Sequence, residues 1–469
     1  MAGAQSREFI DAINPATEEV IGSVPRGTAA DVESAVASAK EAFPAWASMA
    51  PQGRAKLLRK FATIVRQHTD ELATLDSLDC GNPLAAMRND IDKAANSLEY
   101  YAGLAGEAKG VSLPTASSLL DFTLSEPYGI AARIIPFNHP ASFAIGKLAA
   151  PLATGNCVVL KPSEYTSLSA LRVSELLAEV FPPGVVSVLT GYGHEVGQAL
   201  VEHPDIPRIA FIGSVATGKR IYAAAAALIK TVTLELGGKN PMVVFGDADP
   251  TTVGKQAAKG MNLSITAGQS CGAISRLIVH ESVHDAVVES LIATLANVKA
   301  GDPLDPETKI GPLAHKGQYD KTLAYIQRGV DEGATLALGG GRPDGLDKGY
   351  FVSPTVFTGV TPDMSIATEE IFGPVISVLK WSEPEEAIRI ANGVEYGLAA
   401  SIWTNDISVA YATTRQLQSG YVWINSVGDR PPGAPFGGYK LSGIGRESSI
   451  DELLSYTRTK NVCVALGNR

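Results

Sequence analysis

Between residues 128 and 236 the chain alternates short apolar runs with longer helix-forming segments, and this rhythm limits the possible folds more than any other feature. Strand-like runs at 128–135, 156–160, 185–189, 208–212 and 231–236 are separated by helical segments at 141–153, 167–180, 195–201 and 217–229. Apolar strands joined by helices of this length form βαβ units around a parallel sheet covered on both faces. Ligands of such sheets bind beyond the carboxyl ends of the strands. A second alternation follows Gly237-Gly238, with strands at 242–245 and 276–279 and helices at 253–261 and 283–295. It predicts a second α/β unit. The first hundred residues read as helical, with helices at 31–48, 54–78 and 88–105. Cys80-Gly81-Asn82-Pro83 stops the second of these. The stretch 111–125 reads as extended, and 455–466 as a strand after a glycine-rich segment.

A chain of 469 residues has room for two or three such units. A net charge of -10 argues against a nucleic-acid partner, because phosphates need a basic face. No apolar run approaches the roughly 20 residues that span a bilayer, and no apolar h-region follows Met1. No membrane association and no secretory signal are expected. The four cysteines, at 80, 157, 271 and 463, are scattered and form no CxxC pair. Free thiols fit a reducing cytosol, so a cytoplasmic location is expected.

Two motifs are decoys. His280-Glu281-Ser282-Val283-His284 matches the zinc-protease pattern HExxH, whose chemistry needs both imidazoles on one helical face. Here His280 ends a strand and the helix starts beyond it, so no metal is expected. Gly213 to Lys219 nearly matches a P-loop, but Arg220 stands where magnesium needs a hydroxyl. The strand–turn–helix context at Gly213 still suits an anion, a pyrophosphate for example. The alternative is an ordinary βα turn. Gly191-Tyr-Gly193-His-Glu-Val-Gly197 follows another strand but is one residue too long for the dinucleotide fingerprint.

Two residues carry chemistry on their own account. Cys271 lies in Gly268-Gln-Ser-Cys-Gly272, outside any periodic pattern, and its small neighbours allow close approach of a substrate. It reads either as a nucleophile or as a buried inert thiol. Glu235 lies between leucines at the end of a strand that ought to be buried. A carboxylate there is costly unless its pKa rises, which suits a general base. The alternative is a paired structural glutamate.

Taken together, these segments resemble the aldehyde dehydrogenase superfamily, over essentially the whole chain. Pro136-Phe137-Asn138-His139-Pro140 is similar to the family's oxyanion segment, and Lys161-Pro-Ser163-Glu164 to its ribose-binding segment. Phe211-Ile-Gly213-Ser214 resembles its pyrophosphate turn. Glu235-Leu236-Gly237-Gly-Lys-Asn-Pro241 and Gly268-Gln-Ser270-Cys271 resemble its general-base and nucleophile segments. Glu369-Glu370-Ile-Phe372 and Pro435-Phe436 through Glu447 complete the set.

The resemblance implies oxidation of an aldehyde to a carboxylic acid with NAD, or with NADP as the alternative, through a thiohemiacetal and a thioester on Cys271. Asn138 would stabilise the oxyanion, Glu235 would activate water, and Lys147 and Glu447 would support proton transfer. Cofactor contacts are implied at Ile134, Pro136, Phe137, Lys161, Ser163 and Glu164. Further ones are implied at Gly213, Ser214, Leu236, Gly237, Glu370 and Phe372. Glu164, facing a ribose 2′-hydroxyl, favours NAD. The substrate wall is implied at His139, Phe143, Gly146, Ser270 and Phe436.

The implied architecture is α/β throughout. A Rossmann-like, parallel-sheet NAD(P)-binding domain takes 1–107 and 127–237, and a second α/β catalytic domain takes 238–445. A small β oligomerisation element takes 108–126 and 446–469. Its tail strand would join copies into a homodimer or homotetramer.

The chain departs from the family pattern in several places. His139 replaces an aromatic residue, and Gly146 stands where an aromatic often narrows the tunnel, which favours a bulky or aromatic aldehyde. Arg430 could instead bind a substrate carboxylate, the mark of a semialdehyde. Glu235 and Cys271 are 36 positions apart, more than is usual, and residues 264–267 are expected to absorb the excess. A CoA-acylating relative and a non-catalytic protein on the same fold are the competing readings. Glu235 opposes the first, and the joint presence of Cys271, Asn138 and Glu235 opposes the second.

Overall fold

The computed structural model describes residues 8–466. The first seven residues and the last three of the expected domains lie outside that range. A six-stranded sheet has the order Gly443–Ile444, Thr231–Glu235, Arg208–Ile212, Ile130–Ile134, Cys157–Lys161, Val186–Val188. All of its neighbours are parallel except the edge strand Gly443–Ile444. A seven-stranded sheet has the order Thr335–Leu338, Thr355–Thr358, Val375–Trp381, Ile274–His280, Asn240–Val244, Ala399–Trp403, Tyr421–Ile424. Only the Thr335–Leu338 edge is antiparallel. The central strands are buried along their whole length, as expected when helices cover both faces. Two apolar cores result. One runs from Val32 to Leu236 and takes in Leu453 and Tyr456, and the other runs from Met242 to Val427. The change of core at residues 237–241 agrees with the sequence alternation.

Thr457–Ala465, Leu119–Pro127 and Ser112–Leu113 form a separate antiparallel sheet. Among the described residues no helix is long and apolar enough to cross a membrane.

The structure corrects several expectations. The first hundred residues are not all helical. Phe9–Asn14 and Glu19–Pro25 form an antiparallel hairpin, with burial alternating along the first strand. The turn is made by Asn14, whose Oδ1 accepts the Ala16 N–H at 2.9 Å. The expected 54–78 helix is two, Pro51–Gln67 and Thr69–Cys80, broken at His68. The expected 141–153 helix is also two, Pro140–Gly146 and Ala149–Ala153. Pro151 has no N–H for the Lys147 carbonyl, and the Arg133 Nε donates to that carbonyl instead at 3.3 Å. The chain has returned to the first sheet at Gly443, opposite Glu235.

Candidate functional site

The site lies where the carboxyl ends of the first sheet face the start of the second. Glu235 is the last residue of Thr231–Glu235, and Asn240 opens the next strand, Asn240–Val244. Cys271 comes three residues before Ile274–His280. The hinge between them is tight. A Cβ on Gly238 would sit 2.6 Å from the Cys271 carbonyl oxygen, so only glycine lets the two segments close. The Asn240 Nδ2 donates to the carbonyls of Cys271 and Ala273, both at 2.8 Å, and its Oδ1 accepts the Ala399 N–H at 3.0 Å.

The segment just before Cys271 folds into a tight turn. Leu263–Thr266 is a single helical turn bracketed by Asn262 and Ala267, both left-handed, with φ of 56° and 51°. Such a conformation costs a non-glycine residue roughly 1–2 kcal/mol, and asparagine tolerates it better than alanine. The Asn262 amide donates to Ser270 Oγ at 3.2 Å, which ties this turn to the loop that carries Cys271.

Asn138 is 4 % exposed and held from two sides. Asn82 Nδ2 donates to its carbonyl at 2.9 Å, and its own Nδ2 donates to the Gln269 carbonyl at 2.8 Å. Its Oδ1 has no partner. Pro140 starts the following helix, a position where a missing N–H costs nothing, and Asp76 accepts the Ala141 N–H at 3.0 Å. Asn138 is thereby fixed against the loop that carries Cys271, two positions before the cysteine.

Cys271 is half-buried, and the buried Glu235 carboxylate lies close enough to act on its thiol, with Glu235 Oε1 lacking any hydrogen-bond partner. Burial pushes the thiol pKa well up, and the Glu235 charge pushes it further, while Arg430 pulls it down. Burial raises Glu235 too, and Glu447 adds to this, while the Cys271 thiol and Lys147 oppose it. Lys147 Nζ meets Glu447 Oε2 at 2.6 Å. Burial alone would raise Glu447, but Arg133 and Lys147 reverse this and hold its pKa at about 2. The structure thus brings together Cys271, Glu235, Asn138, Lys147 and Glu447. Arg133, missed in the sequence, is buried in the middle of Ile130–Ile134 and contacts Glu447 Oε1 at 2.8 Å. A charge inside an otherwise apolar parallel strand was the available signal.

Ile134, Pro136, Phe137, Lys161, Ser163, Glu164, Gly213 and Ser214 line one cleft of about 640 Å³. Its size lies within the usual range for ligand pockets. Ser214 caps the Val215–Ala226 helix, accepting the Thr217 N–H at 3.3 Å, and the remaining first-turn amides suit a diphosphate. Lys161 Nζ lies 3.4 Å from Glu164 Oε2. These features fit a dinucleotide. In the sequence, Gly193, His194 and Gly197 carry little weight, Arg220 reads only as a departure from the P-loop pattern and Tyr165 is left aside, yet all five line the same cleft.

Four expected cofactor residues lie elsewhere. Leu236 packs against Gly218, and Gly237 accepts the Ser442 hydroxyl at 2.7 Å. Glu370 accepts the Gly238 N–H at 2.9 Å, and Phe372 sits edge-on to Phe137 at 5.8 Å. Phe137 thereby links the cleft to the nucleophile side.

On the substrate side, His139 Nδ1 pairs with the buried Asp90, and Phe143 lies edge-on to His139 at 5.3 Å. Ser270 is half-buried beside the nucleophile. Gly146 is buried against the Leu84–Leu104 helix, where an added Cβ would meet Ser97 and Ala94 at 3.6 and 3.7 Å. Both are ordinary van der Waals contacts, so there is room for a methyl group on the side facing that helix. Phe436 lies beneath the Arg430 guanidinium, 4.4 Å from its ring centre. A Cβ at Gly272 would lie 4.0 Å from the same ring. His280 ends its strand and His284 begins the next helix, so the two imidazoles of the HExxH pattern do not share an element.

Residues 1–462 match the aldehyde dehydrogenase family. The chain is 45% identical over 466 residues to aldehyde dehydrogenase tropH of Talaromyces stipitatus, covering 97% of this chain and 90% of that one. It superposes on the NAD+ complex of aldehyde dehydrogenase from Bacillus cereus with a TM-score of 0.96 and 43% identity, covering 99% and 95% of the two chains. The same TM-score is found with betaine aldehyde dehydrogenase of Staphylococcus aureus in complex with NAD+, at 37% identity and coverage of 100% and 93%. With the fold, the order of its motifs and these likenesses in agreement, the chain belongs to the aldehyde dehydrogenase family.

Proposed function

We propose that the protein oxidises its aldehyde to the free acid by a hydrolytic route, with NAD as hydride acceptor and Cys271 as nucleophile. The observation that carries this reading is the buried Glu235 carboxylate beside the Cys271 thiol, with an oxygen, Oε1, that has no hydrogen-bond partner. Glu235 takes the thiol proton as sulfur bonds to the carbonyl carbon. The Asn138 amide leaves the Gln269 carbonyl to donate to the resulting oxyanion. Bound NAD supplies the acceptor for the hydride that leaves this carbon, and a thioester remains on Cys271. Glu235 gives up the thiol proton to solvent and then removes a proton from water, hydroxide adds to the thioester, and the carbon–sulfur bond breaks to release the acid and the Cys271 thiolate. A CoA-acylating enzyme has no need of a base poised at this sulfur.

The first sheet and its cleft are the cofactor domain in this reading, and the second sheet is the catalytic domain. Lys161, Glu164 and the Gly213-Ser214 turn would hold the dinucleotide. NAD is favoured over NADP because Glu164 would repel a 2′-phosphate. NAD+ is also what the Bacillus cereus and Staphylococcus aureus structures hold. The sheet of Leu119–Pro127 and Thr457–Ala465 exposes Leu120, Leu124 and Val464, a surface suited to joining copies of this chain.

A carboxylated semialdehyde is the substrate class we favour. Arg430 lies over Phe436 and its charge reaches both Cys271 and Glu235, yet no carboxylate pairs with it among the described residues. The test is NADH formation with neutral and ω-carboxylated aldehydes, with and without CoA, on the parent, Cys271→Ala and Arg430→Ala. Turnover should be independent of CoA and absent in Cys271→Ala. Arg430→Ala should raise KM about tenfold or more for the carboxylated aldehydes alone, since a charged hydrogen bond contributes about 1.5–3 kcal/mol. A CoA requirement would overturn the hydrolytic route, and an equal effect on neutral aldehydes would overturn the substrate class.

A further inference from the structure

Arg133 and Glu452 form the buried half of an ion network whose other half is Lys147 and Glu447. Arg133 is 1 % exposed and lies at the centre of the six-stranded sheet. Its Nη1 donates to Glu447 Oε1 at 2.8 Å, its Nη2 to Glu452 Oε1 at 3.0 Å, and its Nε to the Lys147 carbonyl at 3.3 Å. Glu452 is fixed in turn, since its Oε2 accepts the Tyr101 hydroxyl at 2.6 Å and the Ser448 N–H at 2.7 Å. Every donor nitrogen of this guanidinium is engaged, and two of its three partners belong to the pair beside Glu235.

We propose that Arg133 is a positioning residue for water activation: it grips Glu447 and the Lys147 backbone together, and so holds the Lys147–Glu447 pair in register with Glu235. The proposal rests on the hydrolytic reading above. Glu447 has one oxygen on Arg133 and the other on Lys147. Its backbone is anchored as well, through reciprocal hydrogen bonds with Phe436 at 2.7 and 2.9 Å. An arginine suits this place because its planar fork bonds two carboxylates at once and never gives up its proton. The fixed charge falls to Arg133, which leaves Lys147 as the cation of the pair able to exchange a proton. The charged and titratable groups facing Glu447 are Arg133 and Lys147, with Glu235 across the site and Glu452, Tyr101 and Tyr456 behind Arg133. The two cations balance Glu447 and Glu452, so removing Arg133 leaves an excess negative charge in the interior.

The test follows the acyl-enzyme on Cys271 by rapid-quench mass spectrometry, with 4-nitrophenyl acetate as acyl donor. It reads formation and decay separately and does not depend on the natural aldehyde. Arg133→Lys keeps the charge but loses the fork. The expected result is acyl-enzyme formation within about twofold of the parent, decay slowed about tenfold or more, and an additional ionisation in the pH profile of decay. Glu452→Gln, which frees one side of the fork, should show the same split at smaller size, and it alone is read if Arg133→Lys does not fold. Parental decay in the folded variant overturns the proposal. So does an equal loss in both steps, which marks a general structural role. Glu235→Gln, run alongside, separates the two readings. If it decays at the parental rate, the hydrolytic reading fails and this proposal with it. If its decay is slowed while Arg133→Lys decays normally, only the positioning role fails.

Discussion

The side-chain amide of Asn240 donates to the carbonyl of Cys271 at 2.8 Å, from a position buried at the start of the second sheet. It also satisfies the Ala273 carbonyl, so one residue fixes both sides of the nucleophile turn. Asn240→Ala would leave two carbonyls and the Ala399 N–H without their partner. An unsatisfied buried group costs about 1–3 kcal/mol. The expected outcome is a lower denaturation midpoint together with a loss of kcat of about tenfold or more, read by thermal melts and steady-state kinetics on the same preparation.

The Cys271 thiol should be sluggish towards alkylation at neutral pH in the free enzyme, because burial and then Glu235 raise its pKa. The signs for the variants follow from the charges. Glu235→Gln removes a negative neighbour, so the midpoint of the iodoacetamide rate against pH should fall. Arg430→Ala removes a positive one, so the midpoint should rise. Movement of both variants in the same direction would contradict this electrostatic account.

Asn138→Ala should reduce kcat by about 100- to 1000-fold, the usual effect of losing one oxyanion donor, while KM changes little. Cofactor affinity is the control, since Asn138 is not among the residues lining the cleft. A large rise in KM with an unchanged kcat would place Asn138 in substrate binding instead.

Stability should depend on pH through Asp76. Burial pushes its carboxyl up to about 8, one oxygen caps Ala141, and the other has no partner. A folded-state pKa above the unfolded value means that the contribution to stability is complete below about pH 4 and is lost as pH rises through about 8. Asp79, at about 7, acts in the same sense. Asp76→Asn stays neutral and still offers an oxygen to Ala141. It should melt several degrees above the parent at high pH, with the gap closing under mildly acidic conditions, as differential scanning calorimetry would show.

Much of the fold was legible because each parallel strand is buried on both faces and each helix on one, and both facts leave a periodic mark in the sequence. The hairpin at Phe9–Pro25 was missed because its exposed strands carry a weak alternation next to a long helical stretch. The break after Gly146 was missed because its cause is shared. Pro151 withholds one hydrogen bond, and Arg133, from another element, takes up the carbonyl left free.

The two α/β units, the family, and the short segments that carry Cys271, Glu235 and Asn138 could all be read from the chain's order of residues. Each of these depends on neighbours within a few residues or on the order of motifs along the chain. It took the three-dimensional packing to show that Arg133 stands behind Glu447, that Gly146 faces the Leu84–Leu104 helix, and that Arg430 lies over Phe436 within electrostatic reach of Cys271. Lys147 and Glu447 meet across 300 positions of chain, in a register set by the return of Gly443–Ile444 to the edge of the first sheet. Local periodicity records whether a residue is buried. Which charge it finds there depends on how distant strands are ordered, and a single sequence does not encode that order in any local pattern.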